Sequence, residues 1–431
     1  MLIVMKFGGT SVGDGGRINK VAELAQRETA RGHQVVVVAS AMSGVTNMLI
    51  DAAKLAARGD ESLIADTRRR LFAQHINVVN MITAQRATQD KLIADLDRQL
   101  TVFENLGRSV HILGELTARG LDAMSSLGES LVVPLVAQAV RERGLPSEAI
   151  AASELIVTDN NFGNASPLMD ETTAQARGRL LPLLANGCVP VVTGFMGATR
   201  DGVTTTLGRG GSDYTATILG AALDADEVWI WTDVNGVMTA DPRIVPNART
   251  LSEISYAEAA ELSYFGAKVL HPKTIVPMAS KNKPVRILNA FEPDHPGTLI
   301  VKQSRADGRT VKAITAIKNM CILSLEGRGM AGVPGVAAKL FAAVAREQIS
   351  VMMIAQSSSE LDICIVIEDA ASPQAISAIE REFELERMRG NIDGVRADHQ
   401  VTIVAVVGAG LRVTPGIAAR VFGVLAERHI N

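Results

Sequence analysis

Lys6-Phe7-Gly8-Gly9-Thr10-Ser11 places a lysine and a glycine pair at the end of an apolar opening run, MLIVM. Glycines there let backbone N–H groups converge on an anion, and the lysine adds a compact charge with three donors. The order is neither GxxxxGK[ST] nor GxGxxG, so the Walker and Rossmann phosphate loops are both absent. The plainer alternative is a glycine turn with a lysine escaping at a strand end. A second stretch, Thr204 to Asp213 (TTTLGRGGSD), holds three threonines, three glycines, an arginine and an aspartate. Arg209 offers a rigid fork for a carboxylate, Gly210-Gly211 permits close backbone approach, and Ser212 or Asp213 would cap the helix beginning there. A cap alone needs fewer such residues.

Trp229 to Val237 (WIWTDVNGV) ends an apolar run on Thr232-Asp233, polar groups where open α/β sheets bind ligands. Asn235-Gly236 is a ready turn, and Asp241-Pro242-Arg243 follows. Lys268 sits after a helical run, while His271 before Pro272 reads as a packed or capping histidine rather than a base. Ser40 to Asn47 (SAMSGVTN) and Gly114-Glu115 complete the set; alone, each is a loop and a solvated acid. HExxH, GxSxG and cysteine pairs are missing.

These groups need a scaffold of buried strands. MLIVMKF, QVVVVAS (34–40), SELIVTD (153–159), VPVVTGF (189–195) and EVWIWTD (227–233) are short apolar runs, several of them continuous, as in a parallel sheet covered on both faces. A polar helix is expected over 16–31, mostly helix over 45–130 with breaks near Gly59 and Gly107, then LVVPLVAQAVRERG as a strand or connector plus a helix, and a helix over 212–223. Composition agrees with tightly packed α/β layers: 47% hydrophobic, 21% charged and only 3% aromatic. A formal charge of -3, with no basic run longer than Arg68-Arg69-Arg70, gives no nucleic-acid footprint. The window Leu180 to Thr199 is uncharged, but Pro182, Pro190 and its glycines make it a helix end, turn and strand rather than a membrane span. Cys188, Cys321 and Cys364 read as buried thiols in a reducing compartment, and the chain reads as cytoplasmic.

Beyond residue 300 the order becomes β-α-β-β-α, which is ferredoxin-like, and it begins a repeat. Residues 322–350 match 403–431 at an offset of 81, pairing Gly327 with Gly408, Gly329 with Gly410, Pro334 with Pro415 and Phe341 with Phe422. The second copy has no counterpart of Val351 onward. It is expected to be incomplete, its missing strands supplied by downstream residues or another chain.

KFGGTSVG, SAMSGVTN, GEL, TTTLGRGGSDY, WTDVNGVMTADPR and FGAKVLHP, in that order, resemble the aspartate kinase family of the amino acid kinase superfamily, and the likeness runs from Lys6 to the C-terminus. The repeat resembles that family's paired ACT regulatory modules, and QSSSE (356–360) is most similar to the kinase part of bifunctional aspartate kinase–homoserine dehydrogenases. The resemblance implies a three-layer α/β sandwich over 1–300 with a largely parallel sheet, an ACT module over 311–387 and an incomplete one over 397–431. It implies ATP- and Mg²⁺-dependent phosphorylation of the L-aspartate side chain, and an oligomer formed through the ACT modules. The amino-acid effector is expected to be threonine first and lysine second. A catalytically silent amino-acid sensor, or the kinase segment of a bifunctional aspartate kinase–homoserine dehydrogenase, is the alternative. Lys6, Lys268 and Asp213 are the expected catalytic residues; Ser40, Thr46, Glu115, Arg209 and Ser212 bind substrate, with Glu115 on its amino group and Arg209 on its α-carboxylate. Lys6, Phe7, Gly8, Gly9, Thr232, Asp233, Val237, Arg243 and Lys268 surround the nucleotide. No protein ligand to the metal is assigned.

Overall fold

The computed structural model describes residues 1–266, 270–305 and 310–430. It contains two compact units, one made of residues 1–313 with 408–431 and the other of residues 314–407.

The first unit is built on strands β1 (Leu2–Phe7), β2 (Gln34–Ala39), β3 (Ser147–Ile150), β5 (Val189–Thr193), β8 (Glu227–Thr232), β9 (Glu253–Ser255), β10 (Val285–Asn289) and β11 (Thr298–Val301). Their order across the sheet is β3-β5-β2-β1-β8-β10-β11-β9. The six strands from β3 to β10 are parallel; β10 and β11 pair antiparallel. Phe7 pairs with Ala39 on one side and Trp231 on the other, so the carboxyl ends of the central strands share one edge. The residues of β1 and β2 that pack inward are fully buried, as continuous apolar runs require of strands covered on both faces. A small sheet, β4 (Val157–Thr158), β6 (Met196–Thr199) and β7 (Thr204–Thr206), flanks that edge.

Helices α1 (Gly15–Ala30) and α6 (Leu127–Glu142) cover one face; α7 (Met169–Ala185), α8 (Gly211–Leu223) and α10 (Pro272–Ser280) cover the other. Over the first face lies a further helical layer of α2 (Val45–Ala56), α3 (Ser62–Ile82), α4 (Arg86–Leu113) and α5 (Ala118–Ser125), and α9 (Tyr256–Tyr264) packs near β9 and β11. Two expectations change here. LVVPLVAQAV is not a strand: it lies within α6, which runs through Pro134 and is buried nearly all round. The expected break at Gly107 is absent too, because α4 continues through it and uses the missing side chain to pack on Ile64. The run 118–142 has membrane-like length and hydropathy, but 83% of its most apolar window is buried inside the protein.

The second unit has a four-stranded sheet in the order β13 (Met353–Gln356), β14 (Asp362–Glu368), β12 (Ala313–Glu326) and β15 (Gly394–Val407), apart from one residue of β12. Helices α11 (Val336–Arg346), α12 (Ser372–Glu382) and α13 (Glu384–Met388) accompany it, and its core gathers Leu323, Leu325, Leu340, Val344, Ile365 and Ile379. The repeat is structural as well as sequential. Asn319 and Gln400 are both left-handed, as are Gln348 and His429, each pair 81 residues apart. Helix α14 (Ile417–Glu427) is the counterpart of α11.

The register also extends upstream of the point where the sequence match begins. A Cβ on Gly327 would strike the backbone of Asn391, and one on Gly408 would strike that of Thr310. Residues near 310 therefore stand to the second copy as residues near 391 stand to the first. This upstream stretch corresponds to the approach to β15 and is not one of the strands, the counterparts of Val351 onward, that were expected from downstream residues or another chain.

His75 provides a test of the helical layer. It is fully buried on α3, its Nδ1 lies 2.7 Å from the Leu71 carbonyl, and burial pushes its pKa down to about 4. The unfolded chain thus binds a proton between pH 6.5 and pH 4 that the folded chain refuses, so stability is lost as pH falls through that window. Chemical denaturation should find about 2 kcal/mol less contribution from this residue at pH 5 than at pH 7, and His75→Met should flatten that part of the profile.

Candidate active site

Strands β1, β2 and β8 end side by side, and the chain order reverses between β1 and β8, which opens a crevice at their carboxyl edge. Gly8 and Gly9 follow β1 there. A Cβ at Gly9 would stand 2.8 Å from the Ala41 carbonyl oxygen, so this loop lies directly on the Ser40–Gly44 loop after β2. Phe7 is fully buried and stacks on Trp231, with centroids 5.8 Å apart; it supports the crevice from beneath.

Lys6 Nζ lies 2.5 Å from Asp213 Oδ1, their side chains 11% and 16% exposed. Asp213 was expected as a possible helix cap. Instead the N-cap of α8 is left-handed Gly210, with no side-chain cap bond, and Asp213 in the first turn reaches back to β1. The local capping preference yields to an ion pair that spans the sheet and helix layers. Glycines again permit the approach: a Cβ at Gly194 would meet Ser212, and one at Gly211 would meet Phe195. The helix start, with its unpaired N–H groups and positive dipole end, accompanies the Lys6 charge at the same edge.

Glu129 is a residue that the sequence reading missed. It lies in the first turn of α6, 3% exposed, and its Oε1 accepts the Ala41 N–H at 3.1 Å. Its Oε2 has no hydrogen-bond partner among the described residues. Burial raises its pKa to about 8, against the lowering effects of the Ala41 N–H and the Lys6 charge. Glu115, taken as the substrate-facing acid from the triplet GEL, is exposed in the turn after α4. The usable signal was a second triplet, GES at 128–130: an acid inside an apolar helix has to be buried with a partner or a purpose.

Arg209 is exposed and forms no ion pair among the described residues. Ser40 and Thr46 are half-buried on the loop after β2 and at the start of α2. Thr232 Oγ1 donates to Asp233 at 3.2 Å at the end of β8. Val237 is buried, its N–H donated to Thr298, and Arg243 is exposed and forked onto Asp241 at 2.7 and 3.0 Å. His271 caps α10 by accepting the Lys273 N–H at 3.3 Å, as the capping reading expected. Lys268 lies outside the described residues.

This sheet and crevice are those of an α/β small-molecule kinase fold: the amino acid kinase family profile matches residues 1–289, and an ACT domain profile matches 323–383. The chain is 32% identical over 438 residues to lysine-sensitive aspartokinase 3 of Escherichia coli, covering 100% of this chain and 92% of that protein. It is 34% identical over 437 residues to a chloroplastic bifunctional aspartokinase/homoserine dehydrogenase of Zea mays, covering 100% of this chain and 47% of the relative. The crystal structure of E. coli aspartokinase III with aspartate and ADP superposes with a TM-score of 0.81 at 30% identity, covering 99% of this chain and 92% of the other. The same enzyme with lysine and aspartate gives 0.79 at 31% identity, over 98% and 91%. The chain belongs to the aspartokinase family, and spans about half the length of the bifunctional relatives it matches.

Glu129 makes the crevice measurable without any substrate. Its folded pKa is raised, so the folded chain holds one more proton than the unfolded chain between pH 4.5 and pH 8. That contribution is fully present below pH 4.5 and is lost as pH rises through 8. Denaturation midpoints of Glu129→Gln should lack the downward slope, approaching about 1.4 kcal/mol per pH unit, that the parent shows in that window.

Proposed function

We propose that this chain transfers the γ-phosphoryl group of ATP to the side-chain carboxylate of L-aspartate, giving 4-phospho-L-aspartate. The observation that carries the reading is the Lys6–Asp213 pair, 2.5 Å apart at the crevice, with Glu129 of α6 buried against the loop after β2. An attacking carboxylate is already charged and needs no strong base; the site has to hold two anions in line and neutralise the moving group. Lys6 supplies the charge and Asp213 fixes its ammonium. Arg209, exposed and unpaired among the described residues, takes the substrate α-carboxylate. The free oxygen of Glu129, its proton released to solvent as the substrate docks, takes the α-ammonium in place of the role first given to Glu115. Ser40, Thr46 and Ser212 line the acceptor side. Gly8 and Gly9 present N–H groups to the nucleotide phosphates, and Thr232, Asp233, Val237 and Arg243 border the nucleotide, with Lys268 beside its phosphates. Phe7 acts from below through Trp231.

Asp213 and Asp233 are hard oxygen donors of the kind Mg²⁺ takes, so a nucleotide-borne ion fits this edge. When bound it would offset negative charge on the transferred phosphates. In the second unit, a cavity of about 320 Å³ lies among Met330, Gly332, Val333, Gly335, Gln356 and Glu360. Gly335 is the left-handed N-cap of α11 and makes no side-chain cap bond, which suits an effector carboxylate, while Glu360 and Gln356 suit its ammonium. An amino-acid effector, threonine first and lysine second, is the regulatory reading. Soluble, cytoplasmic residence and self-association through the ACT region complete the proposal. Nothing in it depends on a dehydrogenase segment.

Steady-state kinetics separates the assigned roles. Lys6→Ala should remove most of kcat with little change in aspartate KM. Arg209→Ala should raise that KM by roughly tenfold to a hundredfold, the loss of about 1.5–3 kcal/mol in a charge-assisted bond. An unchanged KM in the arginine variant would remove it from the carboxylate site, and absence of turnover with aspartate by a folded protein would favour a silent sensor.

Val333, half exposed at the cavity rim, tests the effector site without touching the core. Val333→Trp should raise the effector concentration for half-inhibition at least about tenfold, a loss of about 1.4 kcal/mol, while leaving kcat for aspartate in place. Calorimetric titration with threonine and with lysine identifies which one fills the cavity.

A further inference from the structure

Three side chains with no part in that reading meet in the second unit. Cys321 on β12, Asp369 just past β14 and His399 on β15 each offer one ligand atom, and these atoms lie within 4.8 Å of one another. The sheet delivers them: Cys321 pairs with Ile367, two positions before Asp369, and β15 flanks β12 on its other side. β12 then runs from Cys321 to Glu326 before the 327–335 segment that reaches the effector cavity, so the cluster sits at the other end of the sheet. A ring nitrogen of His399, Nδ1, is 2.6 Å from Asp369 Oδ1, with the two side chains 52% and 24% exposed. Cys321 is fully buried, and the hydroxyl of Ser372, also buried, bonds the Asp369 carbonyl at 2.7 Å.

We propose that Cys321, Asp369 and His399 form a three-ligand site for a borderline divalent transition metal of the zinc or cobalt type, with a fourth position open to water. A thiolate, an imidazole and a carboxylate together select such an ion over Mg²⁺ or Ca²⁺, which prefer oxygen. Bonds of about 2.0–2.3 Å put tetrahedral ligand atoms roughly 3.3–3.8 Å apart, so the cysteine closes on the other two by up to about 1.5 Å while His399 and Asp369, now 2.6 Å apart, open by roughly 0.7 Å or more. The exposed His399 ring has the freedom to make that adjustment. Without a cation, burial and the Asp369 charge hold the Cys321 thiol protonated. On binding, that thiol proton leaves to solvent, and the three ligands satisfy the ion instead. The ion would pin the end of β14 to β12 and β15. The bland alternative is an exposed His–Asp pair, worth little, beside a core thiol.

The test uses the full chain, reduced and metal-free, titrated with Co²⁺. A sulfur-to-cobalt absorption band should saturate at about one equivalent and disappear when Zn²⁺ is added. Cys321→Ser should abolish it. His399→Ala, at an exposed position where folding is safe, should weaken cobalt binding at least about tenfold, whereas Cys188→Ser and Cys364→Ser should leave it unchanged. No band from folded parent protein, or a band that persists undiminished in either Cys321→Ser or His399→Ala, would overturn the site.

Discussion

A Cβ on Gly9 would stand 2.8 Å from the carbonyl oxygen of Ala41, and the crevice depends on that lack of room. Because the loop after β1 can lie directly on the loop after β2, the Ala41 N–H is turned to Glu129 on the helix beneath. Equivalent close approaches at Gly194 and Gly211 seat the start of α8 near the same edge, from the opposite face of the sheet. Lys6 can then lie only 11% exposed, because Asp213 is held within reach. Any side chain at these glycines would widen the layers before it touched a ligand.

The resulting electrostatics are graded. Glu129 sits deepest and is neutral below about pH 8 through burial; Lys6 and Asp213 share one charge pair at the wall; Arg209 stands in solvent. Fixed charge in a dry wall acts more strongly on a transferring phosphoryl group than the same charge in water. An exposed guanidinium, by contrast, is well placed to capture a carboxylate first and lose its water only on contact.

The parallel strands were legible in the sequence because burial on both faces leaves unbroken apolar runs, as in β1, β2 and β5. The glycine-rich loops were legible because only glycine allows such approaches. Where reading failed, tertiary packing had overruled a local rule. Pro134 and the all-round burial of α6 hid a helix behind a strand-like run. Asp213 obeyed a partner on another element rather than the cap preference of its own helix. Glu115 and Glu129 carry the same residue type after a glycine, and only the packing of α6 under two loops separates a solvated acid from a buried one. The Cys321–Asp369–His399 cluster had no sequence signature, since the middles of two strands and the segment just past a third contribute to it.

The repeat in the C-terminal part is regular in sequence yet crossed in space. Thr310 meets the second copy while Asn391 meets the first, and each of β12 and β15 turns through a left-handed residue, Asn319 or Gln400, midway along its length. Each of these strands therefore closes one copy with its first half and opens the next with its second. A cut placed between the copies, at the point a gene duplication would suggest, would sever a strand and leave both copies short of an edge. Residues 314–407 instead leave and rejoin the rest of the chain through neighbouring strands, like a cassette set into a longer ribbon. What was inherited as a tandem copy is thus folded as an insertion, and the natural place to excise or graft the inserted segment is at its two adjacent ends.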